Sequence, residues 1–183
     1  MKTRYTILLG SLVSCLASGQ DLFWKDEHGQ PVKESESQRS TGDFGGWVLV
    51  TPDEDWEEKW QTPTDVTPHY NVTSRLAVGQ SVMTLIFFAN PAIDQAGAAE
   101  IRCDLRVTRP SGSISIEIED AECFKGPIEG DPYALRMSNG LLGFTGEEDD
   151  ERGEWVTDVR LTDVVRGVSL DLRTRFVLVD GDE

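Results

Sequence analysis

Histidine is almost missing from this 183-residue chain, which holds only His28 and His69. A serine or cysteine nucleophile needs a positioned base. The sequence offers one histidine in a turn and one in a loop, neither with an obvious partner. No GxSxG elbow, HExxH helix or phosphate-cradling glycine-rich loop with its lysine occurs. Paired carboxylates do not fill the gap, because so many acids must place some pair at a glycosidase-like separation. The expectation is a chain with no enzymatic activity.

Positive charge is also scarce. Seventeen Lys and Arg stand against 33 Asp and Glu, for a formal net charge of -16 and a pI near 4.4. Such a surface repels nucleic-acid phosphates and anionic headgroups, so neither is an expected partner. It favours a basic protein partner, a cation, or simply solubility. The most hydrophobic run is at the N-terminus, where Tyr5 to Leu16 is too short to span a bilayer. No transmembrane segment is expected.

That N-terminus has the parts of a secretory signal: Lys2 and Arg4, the apolar run, then Ala17-Ser18-Gly19 before Gln20. Residues 1–19 are therefore expected to be removed on export to the periplasm or beyond. Leu12-Val13-Ser14-Cys15 also matches a bacterial lipobox, which would leave a lipid anchor on Cys15. Against a tether, Leu22-Phe23-Trp24 begins structured-looking sequence at once. Either way two cysteines remain, and an oxidising compartment should pair Cys103 with Cys123. Closing that loop would contribute roughly 3 kcal/mol. The alternatives are two buried thiols or a metal site, and the latter lacks a nearby histidine.

What is present reads as strands. Residues 20–42 are expected to form a short hairpin around Asp26–Gly29 and then a polar linker, Lys33–Gly42. Residues 43–179 form the main domain and 180–183 a polar tail. From Ala99 to Phe124 apolar residues alternate with polar ones on both sides of the turn Arg109-Pro110-Ser111-Gly112. That hairpin should have one apolar face and a bulge at Asp120-Ala121. Asp43–Thr51 is apolar on both faces, and Ser81–Ala89 is a continuous apolar run, so both should be covered on two sides. Thr62–Gln80 reads as a loop, with a glycosylation sequon at Asn71-Val72-Thr73. Lys125–Pro132 reads as a crossover, and Asn139-Gly140 as a hairpin turn. The segments 155–162 and 168–178 alternate cleanly, with Trp155 on the core side.

Between the first strands lies TPDEDWEEKW, where Thr51 is the expected N-cap, Pro52 the first helical residue and Glu54 the far half of a capping box. Trp56 and Trp60 fall one turn apart on one face. They can pack the helix onto a sheet or stack on sugar rings. The loop Glu147, Glu148, Asp149, Asp150, Glu151 is a candidate calcium site, since calcium takes several hard oxygens. Its spacing departs from an EF-hand, and a solvated hairpin tip is the competing reading. Asp94 with the backbone of Asn90 and Ala92 is a second such arrangement.

About eight strands, one short helix and a turn every ten or so residues describe an all-β, antiparallel β-sandwich. The element Gly153-Glu154-Trp155-Val156-Thr157-Asp158-Val159-Arg160-Leu161 before a final long strand resembles the closing strands of bacterial exported immunoglobulin-like domains. The likeness extends over Phe44 to Val179 and implies an immunoglobulin-like sandwich. The sequence departs from the antibody pattern, whose cysteines pin two sheets at wide spacing. The expected function is a non-catalytic interaction module of the envelope, a monomer or weak oligomer with a protein partner. An inhibitor or immunity-type protein against a basic secreted effector, or a glycan- or calcium-binding sandwich, are the alternatives.

Overall fold

The computed structural model describes residues 23–25, 28–61 and 68–181. The expected signal 1–19 with Cys15, the start of the first turn at Asp26, and the start of the loop expected from Thr62 lie outside the described residues. In chain order the elements are β1 (Gln38–Thr41), β2 (Phe44–Thr51), α1 (Trp56–Trp60), β3 (Arg75–Ala77), β4 (Ser81–Ala89) and β5 (Ala98–Thr108). Then follow β6 (Ile114–Pro127), β7 (Arg136–Met137), β8 (Leu142–Thr145), β9 (Gly153–Asp163) and β10 (Val168–Val179). Sheet one runs β1-β2-β4, with β7 and β8 both on the far side of β4; sheet two runs β3-β10-β9-β5-β6. The protein is all-β with two sheets and, among the described residues, one helix.

The sheets meet face to face. Phe44, Val48, Ile86 and Phe88 from sheet one are buried with Ile101, Leu105, Val159, Leu161, Leu170 and Leu172 from sheet two. A second cluster at the other end joins Val50 and Val82 to Leu76, Trp155, Phe176 and Leu178. Trp155 is 2% exposed, packs on Phe144 and donates its indole N–H to the Glu151 carbonyl at 2.9 Å. Gly46 lets the layers close: a Cβ there would lie 2.7 Å from Leu170 Cδ1 and 2.8 Å from Leu161 Cδ1. The period-two strands β5, β9 and β10 bury alternate residues as their sequence dictates, and β2 and β4 are covered on both faces.

Several expectations need correction. The polar stretch Lys33–Gly42 is not wholly a linker, because Gln38–Thr41 pairs with Phe44–Trp47 as β1. An edge strand needs little apolar content, so composition alone could not reveal it. The sheets are not purely antiparallel: within the expected loop Thr62–Gln80, Arg75–Ala77 pairs in parallel with Val177–Val179. Asn139-Gly140 is not a hairpin turn. β7 and β8 run in the same direction along β4, as one interrupted strand. Gly140 is needed for a close approach instead, since a Cβ there would lie 2.7 Å from Cys123 Sγ. The helix cap also shifts. Asp55 is the N-cap and makes no side-chain cap bond, while Thr51 Oγ1 accepts the Asp53 N–H at 3.1 Å in the turn before it.

The hairpin of β5 and β6 forms as expected and carries three register irregularities, one of them at Glu119-Asp120, where Asp120 has φ 52°. The Asp120 N–H donates to Asp104 Oδ1 at 2.9 Å and fixes that bulge. Cys103 and Cys123 form a disulfide between these neighbouring strands, with Cα atoms 5.8 Å apart. It staples one hairpin and does not join the two sheets.

Candidate functional site

The acidic loop carries its own cation. Arg152 Nη1 donates to the carbonyls of Glu147 at 3.2 Å and Asp150 at 2.6 Å, and Nη2 to that of Glu148 at 3.4 Å. Its Nε binds Asp180 Oδ1 at 2.8 Å. Glu151 turns away and accepts the N–H and hydroxyl of Ser111, while Asp150 accepts the Glu147 N–H. The residues expected to offer calcium ligands, Glu147, Glu148, Asp149, Asp150 and Glu151, thus stand around a guanidinium that takes three of the loop's carbonyls. Among the described residues no group of three or more His, Cys, Asp or Glu could hold a metal ion. The guanidinium gathers the carbonyls, and the carboxylates are dispersed as mutual repulsion requires.

Asp94 is likewise engaged locally, accepting the N–H groups of Ala96 and Ala98. The carboxylate that the Asn90 loop does embrace is Asp163, fully buried at the end of β9. It accepts the Ala92 N–H at 2.7 Å, the Arg166 N–H at 2.9 Å and Arg166 Nε at 3.3 Å, and Arg166 Nη2 reaches the Asn90 carbonyl at 2.9 Å. A buried charge so fully paired holds loops together and has no lone pair aimed at a reactant.

The outer face of sheet one is aromatic. Phe87 is buried at its centre, with Trp47 stacked on it at 5.2 Å and Trp60 and Tyr70 tilted against it at 5.6 and 5.9 Å. Trp56 and Trp60, both half-buried, pack α1 onto the cluster of Leu49, Leu85 and Phe87 and so fasten the helix to the sheet. The start of this segment is pinned by Asp53, whose carboxylate is only 6% exposed. It accepts Lys59 Nζ at 2.8 Å, the Asn71 N–H at 2.9 Å and Asn71 Nδ2 at 2.7 Å. Burial pushes this carboxyl up, but the bonds from Lys59 and Asn71 outweigh it and hold it at about 2. Burial also pushes the Tyr70 phenol up to about 12. Asn71, the sequon asparagine, spends its amide on Asp53.

Beside this knot lies a cleft of about 190 Å³ between the α1 approach, β4 and β8. Glu54, Trp56, Met83 and Phe144 line it, with the hydroxyls of Ser81 and Thr145 bonded to each other at 2.8 Å. Sequence reasoning missed it, because its walls come from three segments far apart in the chain.

The most open feature is the edge of sheet two. Among the described residues no strand lies beyond β6, so from Ile114 to Glu122 a row of backbone N–H and C=O groups faces outward, while farther along the Cys123 carbonyl accepts the Asn139 N–H at 2.7 Å. Ile116 and Ile118 pair with the core residues Val107 and Leu105 and so lie on the core side of the sheet. Yet Ile118 is 41% exposed; Ile114, 48% exposed, pairs instead with Thr108, on the other side of β5 from Val107. Glu117, Glu119, Asp120 and Glu122 share the strand, against one base, Lys125. Arg106 engages Glu117, and Arg102 lies 3.9 Å from Asp120. The opposite side is stitched shut: the Arg173 N–H donates to the Glu36 carbonyl at 2.7 Å, Arg175 engages Glu36, and β3 covers the edge of β10.

Among the described residues no helix is long and apolar enough to cross a membrane. No family model matches the chain, and no curated protein matches it. Among solved structures it is similar to a family 123 glycoside hydrolase from Clostridium perfringens, described for glycolipid glycan hydrolysis. The identity is 7% and the TM-score 0.43, over 74% of this chain and 27% of that one. The chain thus spans about a quarter of that protein's length, and a likeness at this level says nothing of activity.

Proposed function

We propose that this chain is an exported, non-catalytic interaction module built as an immunoglobulin-like sandwich, docking a basic protein partner along the open edge of β6. The observation that carries the reading is that edge: unpaired backbone, Ile114 and Ile118 exposed, and acids alternating with them. An incoming extended segment would add a strand through main-chain bonds, set apolar side chains on the isoleucines and offer bases to Glu119 and Glu122. A net charge of -16 speeds the encounter with a basic partner. A second copy of this chain would bring acids against acids, which argues against self-pairing there. The disulfide supports an oxidising compartment. The absence of catalysis is supported by the two buried carboxylates, Asp53 and Asp163, each already committed to structural partners.

The test is capture of partners from the host envelope and secreted fractions at moderate salt, with the tagged protein beside its Ile118→Lys variant. The reading expects one stoichiometric basic protein that the variant loses, since lysine removes the apolar contact and repels the partner. Capture that the variant leaves unchanged overturns β6 as the docking edge.

A further inference from the structure

We propose that one end of the sandwich rests on a lipid surface, through the loops 90–97, 128–135 and 164–167. The register brings these loops to the same end: β4 stops at Ala89 opposite Gly45, β6 at Pro127 opposite Ala98, and β9 at Asp163 opposite Ile101. Four large apolar side chains stand exposed on them, Ile93 at 53%, Tyr133 at 55%, Val164 at 44% and Val165 at 41%. Hydrogen bonds tie the loops to one another. The Ala92 N–H donates to Asp163 at 2.7 Å, Arg166 Nη2 to the Asn90 carbonyl at 2.9 Å, and the Asn90 N–H to the Pro132 carbonyl at 2.7 Å. Each exposed residue thus neighbours a bond that fixes its loop, and apolar side chains held out together in this way mark an interaction site.

Where the chain enters the domain identifies the occupant. Phe23, the first described residue, lays its ring on Gly45 and 5.7 Å from that of Tyr133, at this same end. The apolar run of the expected export signal stops at Leu16, seven residues earlier, a reach of about 25 Å. A chain emerging from a membrane therefore presents this end to it. Charge points the same way. The three loops hold Asp94, Glu129 and Asp131 against Arg166, and Asp94 and Asp131 are turned onto N–H groups of their own loops. The acidic residues 147–151 lie at the opposite end, between β8 and β9, with Asp180 bound to Arg152 there. A molecule of net charge -16 that meets a headgroup layer keeps that acidic pole away from it. A protein partner would need a surface matched to three separate loops. A lipid interface takes isoleucine, valine and the amphipathic ring of tyrosine without one. The inference goes beyond docking at β6 and shares with it only the expectation of export. The open stretch 114–122 starts at the far end of its sheet, where Ile114 and Val156 both pair with Thr108, and stays free.

The experiment mixes the 15N-labelled protein, as exported, with phosphatidylcholine bicelles that carry a nitroxide on a fraction of their headgroups, and follows the amide signals by NMR. Signal loss is expected at Ile93, Tyr133, Val164 and Val165 and not at Val72 or Glu148. Val72 is 67% exposed and sits at the opposite end, beside the Thr73 N–H that bonds the Val50 carbonyl, so it controls for exposed apolar residues in general. Ile93→Ser combined with Val165→Ser should reduce the effect at these loops about tenfold, and Val72→Ser should leave it unchanged. The substituted residues are exposed, so the variants should fold normally, and unchanged signals elsewhere in the spectrum verify that. Phosphatidylglycerol in the bicelles should weaken the response. Loss spread evenly along the chain, equal loss at Val72, no loss at all, a double variant as responsive as wild type, or a response strengthened by phosphatidylglycerol overturns the inference. The two readings fail separately: silent bicelles with intact capture of a basic partner reject the lipid contact alone, and the reverse rejects β6 alone.

Discussion

The outer faces of the two sheets are built on opposite principles. Sheet one carries Trp47, Leu49, Leu85 and Phe87 outward and packs them against the tryptophans of α1, Tyr70 and the side chains of Leu135, Met137 and Leu141. Sheet two faces solvent with paired charges: Arg160 on Asp171 at 2.7 Å, Arg173 on Asp158 at 2.6 Å, Arg106 on Glu117, and Glu100 held by Arg102 and Lys125. The covered face contributes stability by removing aromatic area from water. The bare face contributes solubility, because exposed pairs contribute only about 0–1 kcal/mol each. The edge of β6 belongs to neither pattern, with apolar residues on the core side left without a cover. Where one face is sealed and the other neutralised by its own pairs, the uncovered strand is where the proposed partner would dock.

The contrast can be broken from either side. The largest effect should come from Phe87→Ala, which removes the ring shared by Trp47, Trp60 and Tyr70; about 3–5 kcal/mol of stability should be lost in denaturant unfolding. Next is Cys103→Ser, expected to cost roughly 3 kcal/mol, with the difference from wild type vanishing once reductant is added. The knot under α1 should then give a pH signature. Asp53 sits at about 2 in the folded protein, below the ordinary carboxylate range, so its contribution is present above about pH 4 and lost as pH falls through about 2. That contribution is up to about 2 kcal/mol, and Asp53→Asn should flatten the acid limb of stability against pH. The smallest effect should be Arg160→Ala on the bare face, within about 1 kcal/mol by the same unfolding measurement. Comparable losses for Phe87→Ala and Arg160→Ala would erase the distinction between the faces.

The same contrast decides what the sequence made legible. β5, β9 and β10 alternate because one of their faces is solvated, and β2 and β4 read as continuous apolar runs because both of theirs are covered. The bulge near Asp120 shows where the alternation slips. β1 and β3 escape such reading: β1 is a polar edge, and β3 is three residues whose parallel pairing is set by a segment a hundred positions away. The candidate sites were harder still. Acids in a row suggested calcium, but the sequence does not show that Arg152 folds back among their carbonyls. Asp163 and Ala92 meet across 71 positions, and the α1 cleft draws on three segments, so only tertiary packing brings either together. Trp56 and Trp60 were visible as a pair, yet the packing that holds them on the sheet, with Trp60 tilted against Phe87, depends on residues of β2 and β4.

The central claim, that β6 is the docking edge, is tested most directly by amide hydrogen exchange of this protein alone and in complex with the captured basic partner. Slowed exchange from Ser115 to Glu122, with the outer face of β9 and β10 unchanged, is the result predicted for an added strand. Unaltered exchange along β6 with protection appearing elsewhere would contradict it.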